Sequence, residues 1–192
     1  MKPLLLCSGS QRQESFNTRL LQHIRAHIPP DSTVDEIGAT EVDLPLFNQD
    51  REDEPLVVGQ VLDLHQRFAR AGGIVIASPE YNCLPSPYLK NLIDWVSRLA
   101  FLLPEVSQPF RGKPVLLCTA TTGWSGGAVG LNTLRTLLAY LGADVMGEQI
   151  CVPYAREAWN DSDATYDFDP VFRQHINRVV TRFLAMTQEI PA

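Results

Sequence analysis

Leu4-Leu5-Leu6-Cys7-Ser8-Gly9-Ser10-Gln11-Arg12-Gln13-Glu14-Ser15-Phe16-Asn17 is the stretch whose reading decides the fold. Its first four residues are a short apolar run of the kind that forms a buried strand, and Ser8-Gly9-Ser10 turns the chain. Beyond the turn, Leu20, Leu21, Ile24 and Ile28 share one helical face, with Pro29-Pro30 as the stop. The same strand–turn–helix alternation continues outward along the chain. Thr33 to Ile37 reads as a second strand, and Leu56 to Phe68 as a helix broken by Gly72-Gly73. Ile74 to Ala77 is a continuous apolar run suited to a strand buried on both faces of a parallel sheet. Ser86-Pro87 supplies an N-cap and first-turn pair for a helix carrying Leu89, Leu92, Ile93 and Val96. A fourth strand follows at Pro114 to Thr119, then a helix at Leu131 to Leu141 and a fifth strand between Ala143 and Val152. Asp169-Pro170 opens a last helix bearing Val171, Phe172, Ile176, Val179, Val180 and Phe183.

Five such units predict an α/β fold: a doubly wound, five-stranded parallel sheet with helices on both faces, formed by residues 1–192 as a single domain. Such sheets bind ligands outside the carboxyl ends of their strands. The loops that matter are then those after strands one, three and four.

Composition narrows the classes of partner. A formal net charge of −6 argues against a nucleic-acid or anionic-membrane surface. The apolar run at the N-terminus ends too early, at Ser8-Gly9-Ser10, for a secretory signal, and no segment is long enough to span a bilayer. Cys7, Cys83, Cys118 and Cys151 are scattered and contain no CxxC pair, which suits reduced thiols in a cytoplasmic protein. His23 and His27 have metal-binding spacing but no third ligand. Asp161, Asp163, Asp167 and Asp169 lack the glycine and terminal glutamate of a calcium loop, so a solvated loop with a helix cap is expected. The acidic run from Asp50 to Glu54 is expected to be a solvated face.

The first loop combines glycine, hydroxyls, an arginine and an asparagine at the start of a helix. Unpaired N–H groups and the helix dipole make that a place for a phosphate, with Ser10, Ser15 and Asn17 as donors and Arg12 as a charged, bidentate partner. The competing reading is that Ser15 caps the helix while Arg12 points into solvent. Neither GxGxxG nor a P-loop glycine–lysine pair is present, which disfavours a tightly bound dinucleotide or a nucleoside triphosphatase.

Several motifs together carry a resemblance. They are Gly9-Ser10, Arg12, Ser15 and Asn17; Asp43-Leu44-Pro45-Leu46-Phe47-Asn48; Pro79-Glu80-Tyr81-Asn82; Leu89-Lys90-Asn91 with Asp94-Trp95; Gly112-Lys113-Pro114-Val115; and the glycine-rich turn Gly123 to Gly127. In order and spacing, over nearly the whole chain, this resembles the NAD(P)H-dependent FMN reductases of flavodoxin-like fold, a family that includes quinone, chromate and azo-dye reductases. The resemblance implies that FMN is the cofactor and NADPH or NADH the co-substrate. Hydride would pass to flavin N5 and then to a small acceptor: free flavin, a quinone, chromate or an azo compound. It also implies a homodimer or homotetramer.

By the same resemblance, Ser10, Arg12, Ser15, Phe16 and Asn17 would hold the FMN phosphate. Pro79, Glu80, Tyr81 and Asn82 would run along the isoalloxazine, and Thr121, Gly123 and Trp124 would approach from the other side. No side chain is required as acid or base in the hydride step, so no catalytic residue is named. Two departures stand out. Cys83 occupies a place usually taken by a small residue, often glycine, and Trp124 lies in a turn that is often all small residues. Two rival readings remain: an FMN-binding electron carrier or sensor without meaningful NAD(P)H turnover, and an interaction module that kept the fold but lost the flavin.

Overall fold

The computed structural model describes residues 2–38 and 40–188. The elements in chain order are β1 (Leu4–Ser8), α1 (Phe16–Arg25), β2 (Val34–Ile37), α2 (Pro55–Arg70), β3 (Gly73–Ala77), β4 (Glu80–Tyr81) and β5 (Leu84–Pro85). They continue with α3 (Pro87–Leu102), β6 (Pro114–Ala120), α4 (Ala128–Tyr140), β7 (Asp144–Val145), β8 (Ile150–Val152), α5 (Ala155–Ala158), β9 (Trp159–Asn160), β10 (Thr165–Tyr166) and α6 (Pro170–Gln188).

The central sheet runs β2-β1-β3-β6, with β7 and β8 both paired to β6, and every pairing in it is parallel. Counting β7 and β8 as one interrupted strand gives the order 2-1-3-4-5 of flavodoxin-like sheets. Alternation along each strand divides the core. Leu4, Leu6, Val75, Ala77, Leu116 and Cys118 pack with α1 and α6 residues such as Leu20, Ile24, Val179 and Phe183. Leu5, Cys7, Ile74, Ile76, Val115 and Leu117 face the other way, onto Phe68, Leu92, Val96 and Leu134 of α2, α3 and α4. The continuous apolar runs in the sequence are thus strands covered on both faces.

Four features differ from the sequence expectation. Helix α1 ends at Arg25; the chain closes with tighter bonds from His27 N–H to Ile24 and from Ile28 N–H to Arg25, while Ile28 stays buried. Helix α4 starts at Ala128, three residues early, because Gly126 and Gly127 both take positive φ and Gly127 forms the N-cap. The fifth strand is split into β7 and β8. The acidic run after Asn48 is not merely solvated: Asn48 caps a short 3₁₀ turn at Gln49–Arg51, and Glu52 bonds Arg98 of α3 at 2.5 Å. At the end of the next acidic stretch, Asp169 accepts N–H groups of Val171 and Phe172 at 2.8 and 2.9 Å, the expected cap of α6.

Candidate functional site

The loops that follow β1, β3 and β6 meet at the carboxyl edge of the sheet and are tied to one another by backbone bonds. Gly9 N–H donates to Ala77 (2.8 Å), Ser78 N–H to Cys118 (2.9 Å) and Thr121 N–H to Val152 (3.0 Å). At Gly9 this close approach leaves little room for a side chain. A Cβ there would lie 3.1 Å from the Ala77 oxygen, the Ser78 Cα and Leu89 Cδ2. Ser86 joins the same knot: its hydroxyl donates to the Gly9 carbonyl and accepts from Leu89 N–H, capping α3.

Within the first loop the predicted residues separate by task. Ser15 is the N-cap of α1, its Oγ accepting from the N–H groups of Asn17 (3.2 Å) and Thr18 (3.3 Å). Ser10 Oγ accepts Arg12 N–H at 3.3 Å, and Ser8 Oγ lies 2.8 Å from the Thr18 hydroxyl. Arg12 is exposed, its guanidinium making only a 3.4 Å bond to the Glu14 carbonyl. Phe16 is buried beneath the loop, its carbonyl accepting from Tyr166 O–H at 2.7 Å. Asn17 points away, across to β6: its amide nitrogen donates to the Ala120 carbonyl and its oxygen accepts Ala120 N–H, both at 2.9 Å. Buried serines, helix-start amides and an unencumbered arginine make a donor set that fits a phosphate, and Asn17 braces it.

The second loop is a tight hairpin. Strands β4 and β5 pair across the two-residue turn Asn82-Cys83, and both turn residues have positive φ, 52° and 64°. That is the pattern of a type I′ turn, whose second position favours glycine. Pro79 is buried, while Tyr81 and Asn82 are exposed. The Glu80 side chain does not follow them outward. Its Oε2 accepts Gly130 N–H at 2.7 Å, so a carboxylate from the hairpin serves the positive end of α4. The packing is close enough that a Cβ on Gly130 would meet Glu80 Cγ at 3.1 Å.

In the third loop Thr121 is half-buried and its hydroxyl donates to Gly123 at 3.4 Å. Trp124 is 80% exposed, standing free beside the site. Among the described residues, Thr119 Oγ1 is one of three buried side-chain polar atoms with no partner, and it lies where a Cβ on Gly127 would be. The four cysteines are free. Burial pushes the Cys7 thiol up to about 12 and raises Cys118 as well, so neither is a nucleophile.

Three of the motifs make structural contacts of their own. Asn91 clamps the segment from Leu44 to Phe47, donating to Pro45 (2.9 Å) and accepting Phe47 N–H (2.7 Å). Trp95 Nε1–H donates to the same Pro45 carbonyl at 2.8 Å and its ring meets Phe47 edge-on at 4.9 Å. Lys113 donates to the carbonyls of Ala69 and Ala71, both at 2.6 Å, closing the C-terminus of α2. Among the described residues there is no cluster of histidine, cysteine or acidic side chains able to hold a metal. His23 and His27 instead pack in an aromatic group, their rings 5.1 Å apart and tilted by 48°.

Sequence reasoning missed the segment after β8. Tyr154 N–H donates to Gly123 (3.3 Å) and Ala155 N–H to Thr121 (2.9 Å), which fastens α5 against the third loop. These are backbone contacts, and no residue type announces them.

The family model for NADPH-dependent FMN reductase matches residues 1–157. The chain is 37% identical over 140 residues to the quinone reductase of Escherichia coli (strain K12), covering 73% of this chain and 71% of that protein. It is 33% identical over 142 residues to the 2-hydroxy-1,4-benzoquinone reductase of Burkholderia sp, covering 73% and 72%. In fold it is similar to the flavoenzyme NAD(P)H:(acceptor) oxidoreductase of Paracoccus denitrificans, with a TM-score of 0.81 at 23% identity over 98% of both chains. No helix among the described residues is long and apolar enough to cross a membrane. The chain belongs to the NADPH-dependent FMN reductase family: it is an oxidoreductase of flavodoxin-like fold that pairs FMN with a nicotinamide cofactor.

Proposed function

We propose that the chain reduces quinones with NAD(P)H, holding FMN at the carboxyl edge of the sheet. The observation that carries the placement is the convergence of the three loops, tied by the Gly9–Ala77, Ser78–Cys118 and Asn17–Ala120 bonds. The names of its relatives favour a quinone among the acceptors that the fold can serve.

In this reading Ser10, Arg12, Ser15 and the backbone of Phe16 take the phosphate, and Asn17 sets the loop's distance from β6. Residues Pro79, Glu80, Tyr81 and Asn82 present backbone groups along the ring edge, the rigid I′ turn fixing their direction. Thr121, Gly123 and Trp124 form the facing wall. FMN held by these residues would supply two-electron redox chemistry linking nicotinamide oxidation to reduction of the acceptor. The chain's own contribution is positioning, since two planar substrates must use one exposed face in turn. That alternation gives ping-pong kinetics.

The reading extends to the molecule as a whole. Residues 1–192 form one domain in the cytoplasm, in keeping with free cysteines and a net charge of −6 that repels nucleic acid. A homodimer or homotetramer is part of the same reading, carried by the family resemblance alone.

The test is an absorbance spectrum after incubation with FMN and desalting, then NADPH and NADH added without oxygen, then benzoquinone. Flavin bands that are retained, bleach with nicotinamide and return with quinone support the proposal. Bands that are retained and do not bleach mean an electron carrier. No binding, checked by fluorescence titration with FMN, overturns the cofactor placement.

A further inference from the structure

We propose that Arg156 is a phosphate-binding residue, acting with Arg12 on a phosphate seated at the loop between β1 and α1. The inference rests on reading that loop as a phosphate site and adds a residue that its motif does not contain.

A series of short links sets Arg156 near the first turn of α1. Asn17 fixes the start of α1 to Ala120, and Thr121 N–H is bonded to Val152. Ala155 N–H returns to the Thr121 carbonyl, and Ala155 itself is fully buried in the cluster that contains Phe16. The next residue is Arg156, whose guanidinium carbon lies 5.8 Å from the Phe16 ring centroid. Phe16 follows the N-cap Ser15 directly, so Arg156 packs on a side chain of the first turn of α1.

Charge pairing separates Arg156 from its neighbour Arg19. Arg19 also lies near Phe16, at 5.6 Å, but it stacks over Trp159 at 4.3 Å and is paired with Glu14. Arg12 and Arg156 make no ion pair among the described residues, in a chain whose net charge is −6. Two unneutralised guanidinium groups thus flank one helix start. A phosphate monoester carries a charge of about −1.5 to −2, and a helix N-terminus supplies only about half a positive charge. Arg12 alone leaves that charge partly unmatched; Arg156 completes it. The phosphate is that of FMN, the group placed at this loop above.

The experiment uses the full-length Arg156→Gln protein, with Arg156→Lys as the conservative variant. FMN and riboflavin affinities are measured by fluorescence titration, and KM is measured for NADPH and NADH. Because the residue is exposed, an unchanged melting temperature is expected and is checked first. We expect Arg156→Gln to weaken FMN about tenfold and riboflavin not at all, with Arg156→Lys recovering part of the loss. The gap from wild type should narrow at about 0.5 M salt. If FMN binding is unchanged but KM rises for NADPH and not NADH, Arg156 meets the nucleotide rather than the loop's phosphate, and the proposal is overturned. If neither FMN-over-riboflavin nor NADPH-over-NADH discrimination changes, Arg156 binds no phosphate. A wild-type protein that binds no FMN would instead defeat the underlying placement, and the two failures are distinct.

Discussion

Replacing Asn17 by alanine separates bracing from ligand contact. Both polar atoms of the Asn17 amide are bonded to the backbone of Ala120 at 2.9 Å, and each residue is only 3% exposed, so water cannot take the vacated places. The substitution strands one buried N–H and one buried C=O, at about 1–3 kcal/mol each. With some relaxation, about 2–4 kcal/mol is expected, a large share of the roughly 5–15 kcal/mol typical of a folded domain. For a chain of this size the melting temperature should fall by about 5–15 °C. The assay is urea unfolding of the flavin-free protein, followed by FMN and riboflavin titrations. Asn17→Asp should not rescue: it keeps an acceptor for Ala120 N–H but sets a carboxylate against the Ala120 carbonyl. Loss of both flavins in parallel with stability is the expected pattern. An Asn17→Ala protein as stable as wild type that loses FMN but keeps riboflavin would refute the brace and make Asn17 a direct phosphate ligand.

Other perturbations test neighbouring parts of the structure. Cys83→Gly should stabilise the protein by about 0.5–1 kcal/mol in urea unfolding, because the left-handed conformation at φ 64° costs a non-glycine residue more than glycine's extra chain entropy; a loss of stability would contradict the turn assignment. A thiol reagent at neutral pH should label exposed Cys83 first and half-buried Cys151 slowly, with Cys7 and Cys118 reacting only on unfolding; mass spectrometry of the labelled peptides decides it. Arg67 holds the Asp35 carboxyl below its usual 3.8, with Arg70 assisting. A depressed carboxylate contributes stability that is full above its unfolded value and is lost as pH falls through its folded value. Unfolding curves should therefore show Arg67→Gln losing stability relative to wild type at neutral pH, with the gap closing below about pH 4; a gap independent of pH would mean that Arg67 acts by packing alone.

Local patterns made most of the sheet legible. The runs at Leu4, Ile74 and Pro114 announce buried strands because both faces are covered, and Ser86-Pro87 announces the start of α3 because capping uses neighbours in sequence. The site was legible to the extent that its loops follow those strands. What stayed hidden depends on bonds between distant backbone groups. Asn17 looks like a ligand from its own loop, and only Ala120, far along the chain, shows that its amide is already engaged. Glu80 lies in the hairpin motif yet serves α4. Arg156 has no motif at all, because its position comes from the bonds of Thr121 and Ala155. The short hairpin β9–β10 escaped for the same reason: its two residue pairs give no usable period.

The interrupted fifth strand has a consequence for how copies of this chain meet one another. An exposed outer strand offers a ladder of unpaired groups on which another molecule can grow. Here the outer line is broken between Val145 and Ile150, and Arg135 of α4 caps the gap, donating to the Met146 carbonyl at 2.6 Å and to Val145 and Gly147 at 3.3 and 3.4 Å. The opposite margin is the four-residue β2, which carries Asp35 and Glu36. Neither border of the sheet is a long, flat, uncharged template, so the fold resists edge-to-edge polymerisation.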